Sequence, residues 1–295
     1  MTHADPTAAP VSPFVVDVAL APRLMRDDPA ARGRTVFVVV DVIRATTSII
    51  VLLERGCKRL RVAATVAQAR QVGARERAAG GAARLTLAGE VGGLPPAGVD
   101  YGNSPAAFAE GDFSAADIVF ATSNGTRALF ACAGGAAVLV GALRNASAVA
   151  RVAVERALAG EPAAANRAAP WTICVVCSGA DDRPSMDDTI CAGVIAGAVV
   201  EGVRAAGRAV AVESGAQIAL AVRDGAQARG LAAALADTRA ARGIVELGLA
   251  ADLDWCAALD TSAVVPYVAG TDPEQRLLLI EPWPVQSVDA RRAHP

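Results

Sequence analysis

Histidine is almost missing from this chain: only His3 and His294 occur among 295 residues, each close to a terminus. That excludes a Ser-His-Asp triad, a phosphohistidine mechanism and a histidine-ligated zinc centre from the body of the chain. Lysine is scarcer still, with Lys58 alone, so the phosphate-binding GxxxxGK[ST] loop is absent. Aromatic residues make up 4%, which leaves Val, Leu, Ile and Ala to fill the interior. No apolar run approaches the roughly 18 residues of a membrane span. Residues 1–13, with three prolines, lack the basic start and apolar stretch of a signal peptide. A net charge of −2 gives no basic excess for nucleic acid. The expectation is a soluble cytoplasmic protein with neither nucleic-acid nor membrane partners.

The six cysteines form no paired pattern. Cys174-Val-Val-Cys177 has redox spacing, but it lies in an apolar run whose strand alternation points the two thiols to opposite faces. Buried, reduced structural thiols are expected.

What is present alternates between strand-like and helix-like segments, which predicts a three-layer α/β/α sandwich with a mostly parallel central sheet. The clearest strand is Arg34 to Asp41, whose run Val36-Phe-Val-Val-Val40 reads as buried on both faces. A helix from about Thr47 to Arg55 follows. Further strands are expected at Phe14–Leu20, Arg59–Ala63, Leu85–Ala88, Asp117–Ala121, Ala137–Gly141, Thr172–Cys177 and near Ala263–Val268. Ser147 is read as a helix cap, and Ser185-Met-Asp-Asp188 as a capping-box start for a helix to Ala205. Residues 160–170 read as a surface loop. No linker divides the chain, so one domain over residues 12–285 is expected, with loose tails at 1–11 and 286–295.

Polar residues collect where four strands end: Asp41/Arg44/Thr46/Thr47, Thr122 to Arg127, Arg144/Asn145, and Ser178 to Asp188. In parallel sheets ligands bind beyond the carboxyl ends of strands, so a shared sheet would turn all four clusters toward one crevice. Asp41 is read as a metal ligand, a nucleophile or a helix cap. The haloacid-dehalogenase pattern needs a second Asp two residues on, where Ile43 stands, and this disfavours the nucleophile. In the turn Thr122-Ser123-Asn124-Gly125-Thr126-Arg127, either the hydroxyls, amides and guanidinium cradle an anion or a hydroxyl caps the next helix. Asp188 is a metal ligand or a box partner, and Glu90 a further candidate ligand. Asn103 shapes a turn or touches substrate. Without histidine a metal would take oxygen ligands, which points to Mg²⁺ or Mn²⁺.

The runs Asp41-Val-Ile-Arg-Ala-Thr-Thr-Ser48, Ala88-Gly-Glu90, Asp100-Tyr-Gly-Asn-Ser-Pro105, Ala121-Thr-Ser-Asn-Gly-Thr-Arg127, Arg144-Asn-Ala-Ser-Ala-Val149 and Ser185-Met-Asp-Asp-Thr-Ile-Cys-Ala-Gly193 together resemble the 2-phosphosulfolactate phosphatase family of sulfolactate and coenzyme M metabolism. The resemblance implies Mg²⁺-dependent hydrolysis of 2-phospho-3-sulfolactate, a small polyanion, to sulfolactate and phosphate. It assigns Asp41 and Asp188 to catalysis and Asp41, Glu90 and Asp188 to the metal. Arg44, Thr46, Thr122, Ser123, Asn124, Gly125, Thr126, Arg127, Arg144 and Asn145 are assigned to the substrate. One departure from the family pattern is Val91, where arginine is common. Another phosphorylated organic acid, or anion binding without turnover, are the competing readings, and a homodimer is the default assembly.

Overall fold

The computed structural model describes residues 14–26, 28–80, 85–160 and 169–284. The expected tails and most of the expected 160–170 loop lie outside the described residues. Ten strands share one sheet: β1 (Phe14–Ala19), β2 (Thr35–Val40), β3 (Arg59–Val62), β4 (Leu85–Gly89), β5 (Asp117–Ala121), β6 (Ala137–Gly141), β7 (Trp171–Cys177), β8 (Val210–Val212), β9 (Pro266–Thr271) and β10 (Leu278–Pro282). Their order is β4-β5-β3-β10-β9-β6-β2-β7-β1-β8. Eight strands run parallel within two blocks, while β9 and β10 form an antiparallel pair between them. Helices flank both faces, as a three-layer α/β sandwich requires.

The valine run behaves as its composition demands. Val36, Val38 and Val40 face the helices Ala146–Ala159 and Met186–Ala205, while Phe37 and Val39 face the helix Ala45–Glu54. Burying each such side chain contributes on the order of 2 kcal/mol, and β2 has every residue buried. Cys174 and Cys177 belong to opposite faces, and all six cysteines are free.

The sheet is not flat, and this decides where the site forms. Strands lie about 4.8 Å apart, so the six steps from β4 to β2 would span roughly 29 Å in a flat sheet. Yet Glu90, the residue after β4, is near enough for its charge to act on Asp41, the residue after β2, and Arg44 Nη2 donates to the Gly93 carbonyl at 2.6 Å. The sheet therefore curls, and the helix Ala45–Glu54 lies inside the curl with eight of its ten residues buried. Its Ile49, Val51 and Leu52 pack against Phe37 and Val39 of β2, Leu60 of β3, Phe120 of β5 and Ile280 of β10. Strand pairing is least regular at the antiparallel pair. There β6 meets β9 only at Leu139 and Tyr267, and the β9–β10 register shifts between Leu279 and Ile280.

Several expected boundaries move by a residue or two, and three readings are corrected. Strand β10 and the short edge strand β8 were not foreseen. Ser147 is inside the helix Ala146–Ala159, not its cap, and its amide and hydroxyl bond the carboxylate of Asp260. Ser185 is the cap residue of Met186–Ala205 but makes no capping hydrogen bond with its side chain. Asn145, expected at the substrate, has both amide N–H donors occupied within the fold, by the carbonyls of Val140 (3.1 Å) and Val264 (2.9 Å). Its Oδ1 accepts from the Ala142 amide at 2.9 Å. Asn145→Ala is accordingly expected to leave three buried backbone groups unpaired and to cost roughly 3 kcal/mol. Chemical denaturation checks this; a loss well under 1 kcal/mol would contradict the structural role.

Candidate active site

Asp41 sits where β2 ends, 7% exposed, and its position is set by the start of the next helix. Its Oδ1 accepts from the Ala45 amide at 3.2 Å, and Thr46 Oγ1 donates to its carbonyl at 2.9 Å. Asp41 thus serves the first amide of the helix Ala45–Glu54, although the cap position itself is held by Arg44. Its other oxygen, Oδ2, lies over Gly125 at the start of the helix Gly125–Ala131; a methyl group on Gly125 would stand 2.7 Å from it. The peptide joining Ile43 to Arg44 is cis.

Asp188, 2% exposed, comes from the first turn of Met186–Ala205, beside β7. Its Oδ1 accepts from the amide of Val42 at 2.9 Å, the residue after Asp41. Its Oδ2 accepts from the Gly179 amide at 2.9 Å and from the Ser178 hydroxyl at 3.1 Å. This cradle replaces the expected capping box. Asp187 is buried as well, at 5% exposure.

Glu90 enters from the other block of the sheet. Gly89 brings the chain so close to the Ala121 carbonyl that no side chain fits there. Glu90 then accepts from the Gly93 amide through Oε2 and from the Ser123 amide through Oε1, both at 2.8 Å.

The four acids meet no arginine or lysine in an ion pair among the described residues, and the electrostatics show it. Burial first, then the Asp188 charge, then Glu90, raise Asp41 to about 7. Burial and then Asp187 raise Asp188 to about 7, against the amides of Val42 and Gly179. Burial raises Asp187 to about 6, with Asp41 adding to it.

The arginines are placed differently from their expected roles. Arg44, with a 2% exposed side chain, pairs through Nη1 with Asp252 at 2.8 Å and through Nη2 with the Gly93 carbonyl. Arg144 pairs with Glu54 at 3.0 Å and stacks over Trp255 with its guanidinium carbon 4.8 Å from the ring centroid. Glu54 ends the helix whose start holds Asp41, roughly 13 Å along the axis. Arg127 is the accessible one, 55% exposed and joined to Asp182 at 3.0 Å. Thr122 and Thr126 are buried and tied to each other, with Thr126 Oγ1 donating to the Thr122 carbonyl at 2.8 Å. Ser123 is exposed and Asn124 half-buried. Asn103 is buried, and its Oδ1 meets no donor among the described residues.

Among the described residues no three or more His, Cys, Asp or Glu side chains form a ready-made metal cage. The donor set still fits Mg²⁺, which is ordinarily held by one or two carboxylates, water and substrate phosphate. Asp188 Oδ2 already accepts two donors, but Asp188 Oδ1, Asp41 Oδ1 and both Glu90 oxygens accept one each and keep a second lone pair.

A family model described as 2-phosphosulpholactate phosphatase matches residues 20–271, and so spans all four strand-end clusters and Asp252. The chain belongs to the 2-phosphosulfolactate phosphatase family. A relative from Deinococcus radiodurans, named a probable 2-phosphosulfolactate phosphatase, is 38% identical over 245 residues, covering 83% of this chain and 92% of that protein. One of the same name from Thermus thermophilus is 36% identical over 240 residues, covering 80% and 88%. A third, from Gloeobacter violaceus, is 34% identical over 243 residues, covering 78% and 86%. Membership in the 2-phosphosulfolactate phosphatase family accounts for the order of the motifs. Sequence reasoning missed Asp252, and it named Ser178 and Gly179 only as the start of the Ser178 to Asp188 cluster. Asp252 stands in a helical stretch with no motif around it. Ser178 and Gly179 are ordinary loop residues until the fold sets them against Asp188.

Proposed function

We propose that this chain is a phosphatase that hydrolyses 2-phospho-3-sulfolactate with Mg²⁺ held by Asp41, Asp188 and Glu90. The observation that carries the reading is the buried acidic cluster without a cationic partner, built at the carboxyl ends of parallel strands from both blocks of the sheet. Such a cluster is unfavourable alone and favourable around a divalent cation. A bound magnesium ion supplies charge neutralisation of the phosphoryl oxygens and a template for the attacking water.

The chain's own groups do the rest. Asp188 is held by three donors and fixes the Val42 peptide, and with it the direction of Asp41. Asp41 Oδ2 is left to bind or to take a proton, a task that falls to a carboxyl because no histidine occurs among the described residues. Arg127 forms a solvent-screened pair with Asp182, which is weak enough to exchange for an anionic substituent. Arg44 and Arg144 stay in their buried pairs.

A second reading rests on Val91, which is 58% exposed beside Glu90. An apolar side chain at that rim suits a less charged phosphorylated acid. Phosphate release from 2-phospho-3-sulfolactate and from a panel of phosphorylated organic acids, with Mg²⁺ and with EDTA, tests both. Metal-dependent release from the sulfonate supports the first reading, release only from other esters the second. Tight binding without turnover would refute both.

A further inference from the structure

Asp252 is 1% exposed and opens the short helix Asp252–Ala257, far along the chain from every acidic residue of the site. Its carboxylate nevertheless gathers two distant segments. Oδ2 takes Arg44 Nη1 at 2.8 Å, while Oδ1 takes the Ser104 hydroxyl at 2.5 Å and the Ala106 amide at 3.2 Å. Arg44 continues the chain of contacts, since its Nη2 reaches the Gly93 carbonyl at 2.6 Å. The Gly93 amide in turn donates to Glu90 Oε2 at 2.8 Å. One peptide unit away from Arg44, then, the turn Val91–Leu94 holds one of the two oxygens of Glu90.

We propose that Asp252 and Arg44 are positioning residues, which act through the Gly93 turn to set Glu90 at the cation site and do not contact substrate. This rests on the reading of Glu90 as a metal ligand. A planar guanidinium suits the task because its fork reaches two acceptors in fixed directions at once. With one nitrogen on Asp252 and another on Gly93, it ties the turn after β4 to the segment after β2. Those two pieces belong to opposite blocks of the curled sheet. Without the tie, Glu90 keeps its Ser123 contact but loses the support of the turn that orients its other oxygen. Outer-shell partners of this kind govern metal affinity more than they govern the chemistry.

The experiment measures Mg²⁺ affinity of the full chain from the Mg²⁺-dependent rise in melting temperature, which needs no turnover. Steady-state kinetics on 2-phospho-3-sulfolactate run beside it. Asp252→Asn and Arg44→Lys are compared with wild type and with Arg61→Met. The last disrupts another buried arginine, paired with Glu76 and Asp117 and remote from the site. The expected result is a Mg²⁺ midpoint raised roughly tenfold or more by Asp252→Asn and Arg44→Lys but not by Arg61→Met, with kcat at saturating Mg²⁺ little changed. If Asp252→Asn fails to fold, Arg44→Lys, which keeps a cation against Asp252, carries the test. An unchanged midpoint overturns the proposal. So does a rise in KM for substrate alone, which would place Arg44 on the substrate. Wild type that binds Mg²⁺ but releases no phosphate refutes the phosphatase reading and leaves the positioning result standing; wild type that shows no Mg²⁺ response overturns both.

Discussion

Asp41→Asn is expected to lower turnover roughly 10³-fold or more while making the metal-free protein more stable above neutral pH. The loss follows from removing a charge that faces the substrate crevice. The gain follows from the sign of the titration shifts. Asp41 and Asp188 are raised to about 7 and Asp187 to about 6, all above their ordinary 3.8, chiefly by burial and then by one another. A folded-state pKa raised above its unfolded value means the native state holds protons that the unfolded chain has released. Stability is then present at low pH and is lost as pH rises, here between about 4 and 7. At pH 8 the metal-free fold carries the full repulsion of its acids. Asparagine keeps the acceptor for the Ala45 amide and turns its N–H₂ toward the remaining carboxylates. The expected rise in melting temperature is on the order of 5 °C at pH 8, shrinking toward zero at pH 5. Mg²⁺ should stabilise wild type strongly at pH 8 and the variant weakly. Thermal melts across pH, with and without Mg²⁺, check this. Near-normal turnover would remove Asp41 from the mechanism, and a variant less stable at pH 8 than at pH 5 relative to wild type would contradict the electrostatics.

Gly125→Ala should cost roughly 10²-fold in kcat/KM with little change in stability. The added methyl would lie 2.7 Å from both Asp41 Oδ2 and Ala45 Cβ, and 3.1 Å from Asp41 Cβ. The carboxylate must swing aside, and displacements of about 1 Å in a reacting group are enough for losses of that size. Gly125 begins a helix, where alanine is preferred by up to about 1 kcal/mol, so local propensity offsets part of the crowding. A destabilised, inactive protein would mean general misfolding. A stable protein with full activity would show that Asp41 Oδ2 has no fixed task.

How much of this could be read from the sequence depends on the range of the force involved. The β2 run, the parallel strands and the acidic strand ends were legible because periodicity and strand-end chemistry are local. Asp41, Glu90 and Asp188 do converge, as a shared sheet would require. The arginines misled, since residue type shows that a guanidinium can bind an anion but not which anion it meets. Arg44 and Arg144 meet Asp252 and Glu54, partners 208 and 90 residues away. The antiparallel strands β9 and β10, as long as the strands that were read, were partly or wholly missed because their place in mid-sheet is fixed only by tertiary pairing. The convergence of all four clusters was expected from an open sheet, whereas the curled sheet brings together three of them, with Arg144 and Asn145 engaged elsewhere.

That curl carries a consequence for biosynthesis. The two walls of the crevice come from residues up to Asp188, yet β9 and β10, residues 266–282, are the pieces that join β6 to β3. A nascent chain has every acid of the site long before it has the strands that bring Glu90 to Asp41. Activity should therefore appear only once the final strands are released from the ribosome. A chain ending before Pro266 would carry two unpaired sheet edges, at β3 and β6, and unpaired edges pair with other chains. Such a product is expected to aggregate instead of working at reduced rate, so premature termination yields no partially active enzyme.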